Sequence, residues 1–169
     1  MTIYLCGFMG CGKSTVGRML AKETGLRFTD MDAYIVQCER MSIPDIFSEM
    51  GEEYFRARES RAVKELGDLG GIIACGGGAM LKKENSDAAQ TYGAVVYLDV
   101  PFDICYERIK DDTNRPIVMR STKAELSDIY EKRKALYTAH STLQIEASAA
   151  PLDVVRTIID ELAVRGFIR

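Results

Sequence analysis

Gly7-Phe8-Met9-Gly10-Cys11-Gly12-Lys13-Ser14-Thr15 contains the complete pattern G-x-x-x-x-G-K-[ST]. The residues before it, 3–6, are an apolar run that stops at Gly7 and reads as a buried strand. The residues after it, 13–23, have helical spacing and a stop at Gly25. Strand, glycine loop and helix in that order are the context the pattern requires. Glycines let backbone N–H groups converge on an anion, and the helix N-terminus adds a favourable dipole. Lys13 is then placed to reach outer phosphates and the Ser14 hydroxyl to ligate Mg²⁺. A glycine turn with an incidental Lys-Ser is the plain structural alternative, and the strand-loop-helix context speaks against it. The loop indicates a nucleotide without separating a kinase from a GTPase or a motor.

Outward from the loop, strand and helix signals alternate. A second strand-like piece runs through Phe28-Thr29-Asp30-Met31-Asp32. Pro44 suits a first helical turn, residues 46–50 follow up to Gly51, and a longer helix is expected over 52–66. GIIAC at 71–75 and AVVYLDV at 94–100 are apolar on successive residues, as strands covered on both faces are. Helices are expected over 102–109 and 123–139, a polar stretch over 110–121, a short strand over 142–145 and an amphipathic helix over 153–165. Alternation of this kind implies a parallel sheet with helices on both faces, and nothing interrupts a single domain over 1–169. In the last helix Leu152, Val155, Ile158, Ile159 and Leu162 form a stripe expected to face the core.

Composition limits the classes of function. With 169 residues, 47% apolar and 28% charged, the chain can bury a substantial core. A net charge of -3 carries no electrostatic footprint for nucleic acid or an anionic membrane, so any anion must be held by a local site. The five cysteines, Cys6, Cys11, Cys38, Cys75 and Cys105, are odd in number and lack metal spacing. They read as free buried thiols in a reducing compartment. MTIYLCGFMG has no basic n-region and no apolar run approaches ~20 residues, so a cytoplasmic protein is expected. No large apolar face calls for a partner, which predicts a monomer. Lone His140 and the eight methionines read as packing or surface residues.

Several residues suggest an acceptor site. Asp30 and Asp32 share one side of an extended chain, which would point both carboxylates into a cleft beside the phosphate loop. An Asx turn or helix cap before Ala33-Tyr34-Ile35 is the plain structural alternative. Phe55-Arg56-x-x-Glu59 lies on the long helix, where Glu59 at i+3 can orient the Arg56 guanidinium for a carboxylate, whereas Arg58 turns to nearly the opposite face. Arg56 alone reads equally as a solvated charge. Gly76-Gly77-Gly78 at a strand end permits close approach of a ligand or simply makes a turn. Arg133 and Tyr137 stand one helical turn apart, and Arg108 and Asn114-Arg115-Pro116 flank the polar stretch as a possible lid.

Together GFMGCGKST, Phe28-Thr29-Asp30-Met31-Asp32, Phe55-Arg56-x-x-Glu59, the triple glycine, Arg115-Pro116 and Arg133-x-x-x-Tyr137 resemble the shikimate kinase family. The resemblance implies a nucleoside-monophosphate-kinase-like P-loop fold: three layers, α/β/α, around a five-stranded parallel sheet. It also implies a substrate-binding segment over 31–61 and a lid over 110–121. It assigns shikimate to Asp32, Arg56, Gly77, Gly78 and Arg133, the arginines taking its carboxylate. ATP falls to Gly10, Cys11, Gly12, Lys13, Ser14 and Thr15, with Arg108 and Arg115 in the nucleotide and lid region. Ser14 and Asp30 would serve Mg²⁺, and Lys13 and Asp32 would carry the chemistry on the route to chorismate and aromatic amino acids. Cys75 departs from the hydroxyl residue the family often has before the glycines. A gluconate-type kinase and a non-catalytic nucleotide-binding protein are the rival readings.

Overall fold

The computed structural model describes residues 1–113 and 115–168, Pro116 by its backbone alone. Asn114, quoted with the lid motif, lies outside the described residues. Five strands, β1 (Thr2–Cys6), β2 (Phe28–Asp30), β3 (Gly71–Ala74), β4 (Gly93–Asp99) and β5 (Leu143–Glu146), form one sheet in the order β2-β3-β1-β4-β5. Every pairing is parallel; Thr2 lies beside Gly71 on one side and Gly93 on the other, which makes β1 the central strand. Strand sequence follows position in the sheet. TIYLC of β1 is buried at every residue, whereas β5 alternates buried Leu143 and Ile145 with exposed Gln144 and Glu146, as an edge strand does.

The helices are α1 (Lys13–Thr24), α2 (Met31–Glu39), α3 (Ile43–Met50), α4 (Glu52–Leu69), α5 (Lys83–Tyr92), α6 (Phe102–Ile109), α7 (Pro116–Arg120), α8 (Lys123–His140) and α9 (Pro151–Val164). They cover both faces: α1 packs on α9, while α4 packs on α5 and α5 on α8. The Tyr4 hydroxyl donates to Val63 O and the Thr2 hydroxyl to Gly67 O, fixing α4 over the central strand. Among the described residues no helix is long and apolar enough to cross a membrane.

Four expectations need correction. β2 stops at Asp30, whose carboxylate accepts from Ala33 N and opens α2, so Asp32 lies in a first helical turn and not in an extended chain. α5, with sequence KENSDAAQTY, was not expected, because only alanines and Tyr92 give it an apolar side. Cys38 is exposed, while the other four thiols are buried and free. In α9 the buried stripe is Val154, Val155, Ile158 and Leu162; Leu152, one turn nearer the helix start, is exposed.

Candidate active site

The phosphate loop joins the end of β1 to α1 and is held by backbone that only glycine adopts readily. Gly10 (φ 80°) and Gly12 (φ 94°) are left-handed, and a Cβ on Gly10 would stand 2.9 Å from Cys105 O. Gly12 supplies no capping side chain, so the first N–H groups of α1 face the loop. The Lys13 ammonium lies across it, donating to Gly7 O (2.8 Å) and Phe8 O (3.2 Å), with Cys11 Sγ at 3.6 Å. Buried Cys11 therefore contributes backbone to the loop, and Thr15 is exposed at its far side. Behind the loop, Phe8 packs edge-on against Phe102 and Tyr130, and Tyr130 donates to Val100 O. Arg108 of α6 reaches back to Gly10 O at 2.8 Å.

Asp30 connects this loop to the neighbouring strand end. One carboxylate oxygen caps α2 and the other accepts from Ser14 Oγ at 3.3 Å. Asp30 thus caps a helix with one oxygen and meets the Ser14 hydroxyl with the other. A hydroxyl beside a carboxylate is a hard-oxygen donor pair of the kind Mg²⁺ accepts when phosphates and water complete its shell. Among the described residues no group of three or more His, Cys, Asp or Glu could hold a metal by itself.

The acceptor candidates meet at the glycines after β3. A Cβ on Gly76 would stand 2.7 Å from Asp32 Oδ1 and 3.0 Å from Glu59 Oε1; one on Gly77 would stand 3.3 Å from Arg133 Nη1; one on Gly78 would stand 2.8 Å from Arg56 Cζ. Arg56 pairs with Glu59 at 2.7 Å and with Glu52 at 3.5 Å. Helix α2 supplies Asp32, α4 supplies Arg56 and Glu59, and α8 supplies Arg133, so residues far apart in sequence face one turn of backbone. Burial is the first reason that the Asp32 carboxyl lies above the usual carboxylate range, and the Asp30 charge adds to it; Lys13, Arg115 and Arg56 pull the other way. Glu59 is raised as well: burial, at 2% exposure, outweighs the Arg56 guanidinium beside it. Burial also pushes the Cys75 thiol well up, so a neutral group precedes the glycines.

Arg115 caps the start of α7, is exposed, and pairs with Asp112 at 2.9 Å, while its charge is felt at Asp32. Two features escaped sequence reading. Arg58, facing away from Arg56 as its helical phase requires, is buried between Glu39 of α2 (2.7 Å) and Glu65 of α4 (3.1 Å) with the Tyr34 ring 5.7 Å away. The Tyr137 hydroxyl donates to Gly77 O. Helical phase gave the direction of Arg58, but only the fold brings Glu39 there.

A glycine loop on the central strand, a parallel sheet and a cluster of acids and arginines at the adjacent strand ends define a P-loop phosphotransferase. The chain belongs to the shikimate kinase family, whose model, described as "Shikimate kinase", matches residues 9–163. It is therefore an ATP-dependent kinase by family. A shikimate kinase from Persephonella marina is 40% identical over 162 residues, 95% of this chain and 98% of that one. Among solved structures, the shikimate kinase of Aquifex aeolicus superposes with a TM-score of 0.87 at 34% identity, over 98% of each chain. The Acinetobacter baumannii shikimate kinase in complex with shikimate gives 0.89 at 34% identity, over 97% of this chain and 93% of that one. The expected five-stranded parallel sheet between two helical layers agrees with these relatives.

Proposed function

We propose that this chain transfers the γ-phosphoryl of ATP to the 3-hydroxyl of shikimate, giving shikimate 3-phosphate and ADP. The observation that carries this reading is the convergence of Asp32, Glu59, Arg133 and Arg56 on Gly76-Gly77-Gly78, beside the phosphate loop. Arg56 and Arg133, carried by different helices, hold the acceptor carboxylate from two directions, and glycine at 77 and 78 leaves the backbone open to its ring. Glu59 fixes one guanidinium in place.

Asp32 orients the 3-hydroxyl and takes its proton as that oxygen bonds to the γ-phosphorus and the bond to the β–γ bridging oxygen breaks. A carboxyl with a raised pKa is a stronger base than an ordinary aspartate once ionised. Lys13 and the N–H groups of residues 10–15 hold the phosphates and offset the charge spread over the transferred group. Ser14 and Asp30 are the residues that would hold Mg²⁺, which when bound neutralises phosphate charge. Arg108 and Arg115 approach the nucleotide from α6 and from the lid, residues 110–121. Together with the substrate segment, residues 31–61, the lid closes over both substrates so that water is kept from accepting the phosphoryl group. The enzyme is proposed to work as a cytoplasmic monomer that uses neither nucleic acid nor a membrane, in keeping with its charge of -3.

ADP release with ATP, Mg²⁺ and a panel of acceptors tests this reading. Turnover is expected with shikimate. Stimulation by gluconate but not by shikimate would overturn it, and ATP binding with no product from any acceptor would favour a non-catalytic nucleotide-binding protein.

A further inference from the structure

Tyr137 is a large aromatic residue at 1% exposure in the last turn of α8, yet its polar end is not directed to solvent. The hydroxyl donates to Gly77 O, and Arg133, one turn earlier on the same helix, lies near enough for its charge to bear on the phenol. Burial is the first reason that its pKa is far above the usual phenol value, so the oxygen stays protonated and can donate. The ring is held against Tyr97 of β4, centroids 5.3 Å apart and planes inclined by 31°. A rigid ring thus presents its hydroxyl to the glycine turn of the acceptor cluster, beside Arg133.

The peptide that joins Gly77 to Gly78 is planar and trans, so its carbonyl and its N–H point in opposite directions. Holding Gly77 O toward α8 aims the N–H of Gly78 away from α8. Glycine at both positions leaves this peptide little intrinsic restraint, and a single fixed donor therefore has a large effect on its orientation. Arg133 reaches the same glycine from the same helix, its Nη1 3.3 Å from where a Gly77 Cβ would stand.

We propose that Tyr137 is a positioning residue for the acceptor: its hydroxyl sets the Gly77–Gly78 peptide and the Arg133 guanidinium in one arrangement, so that both meet a carboxylate-bearing acceptor together. This rests on the reading of Arg133 and the glycines as the acceptor site. The test is Tyr137→Phe, which keeps the ring and removes one oxygen, assayed for KM and kcat with shikimate and with ATP. Loss of one buried bond is expected to raise the shikimate KM about tenfold, with the ATP KM unchanged within about twofold.

Tyr97→Phe is the control, because it removes a buried hydroxyl of the same kind whose partner is Asp99, and it is expected to leave the shikimate KM unchanged. Arg133→Ala separates the two levels of inference. If that variant leaves the shikimate KM unchanged, the acceptor reading itself fails. If it raises the KM while Tyr137→Phe does not, only the role of Tyr137 is overturned. On an Arg133→Ala background the effect of Tyr137→Phe is expected to shrink, and full additivity would refute action through Arg133. Melting curves accompany each variant. A lowered melting temperature with unchanged shikimate KM, or failure of Tyr137→Phe to fold even in the cold, would make the hydroxyl a folding element and refute the proposal.

Discussion

Gly78→Ala puts a methyl group where the Arg56 guanidinium now lies. The new Cβ would stand 2.8 Å from Arg56 Cζ and 3.1 Å from Nη2, closer than carbon tolerates. Backbone strain is not the cost, since Gly78 has φ -96° and ψ -16°, values open to any L-residue. Nor is the core disturbed: the clash is with the end of a long side chain that is 37% exposed and can swing outward. The fold should therefore survive while the guanidinium leaves its place beside Glu59 and over Gly78. A hydrogen bond to a charged group is worth roughly 1.5–3 kcal/mol, which corresponds to about 10- to 150-fold in kcat/KM for shikimate. A coupled ADP-release assay over a range of shikimate, repeated over a range of ATP, measures this. The expected outcome is a large loss toward shikimate, an ATP KM within about twofold of the parent, and little change in melting temperature. A shikimate kcat/KM within a factor of two of the parent would refute the placement of Arg56 over Gly78.

Lys13→Ala is expected to lower kcat by about 100-fold or more with any acceptor, since it removes charge stabilisation of the transferred group; steady-state ADP release checks it. Asp32→Asn is expected to abolish most turnover and to raise the melting temperature at neutral pH. A carboxyl raised by folding contributes stability only while protonated, and that contribution is lost as pH rises through its folded pKa. The advantage of Asn should accordingly fade as pH falls toward the ordinary carboxylate range, and melting curves across that window decide it. For the parent enzyme, kcat/KM is expected to fall on acidification with a midpoint above that range, because the base must be ionised; a midpoint at the value of a free aspartate contradicts the assignment. Arg58→Ala is expected to cost about 2 kcal/mol, less than the ~3–5 kcal/mol of a wholly buried pair because Glu39 and Glu65 still reach water. Urea titration measures it, and an unchanged midpoint would show that the cluster between α2 and α4 is inert.

The arrangement of charge explains why acids and arginines are both concentrated here. Asp32 and Glu59 face each other across Gly76, each raised mainly by burial and then further by a carboxylate neighbour. Lys13, Arg56, Arg133 and Arg115 bear on them from around the cluster, with Glu52 pairing Arg56, Asp112 pairing Arg115 and Asp30 beside Asp32. On the reading proposed above, an anionic acceptor and a polyphosphate would meet these same cations. Substrate binding and Asp32 ionisation are then in competition for the same cations. This favours a base that stays basic when the acceptor is seated.

How legible this was in the sequence depended on the range of the interactions. The phosphate loop needs only local backbone and a helix start, so its residues and flanking elements were readable from contiguous sequence. β1, β3 and β4 were readable for a related reason, since strands buried on both faces are uniformly apolar. Helix α5 was not, because the residues it buries, Asn85, Ser86 and Ala89, carry little apolar signal and its burial depends on α4, β4 and α8 lying beside it. At Asp30 and Asp32 the rule of two-residue alternation gave a wrong geometry, although Asp30 still reaches Ser14 and Asp32 still lies against the glycines after β3. Asp30 ends the strand by capping α2, and its second oxygen still reaches Ser14; Asp32, one helical step inside, reaches Gly76 because α2 starts there. A cap needs one carboxylate oxygen and leaves the other free for a second partner, so a cap and a contact to the phosphate-loop serine coexist in one residue. The pairing of Arg58 with Glu39 lay further out of reach. Helical phase turned Arg58 away from the site, but a partner nineteen residues away becomes visible only once α2 is folded back along α4.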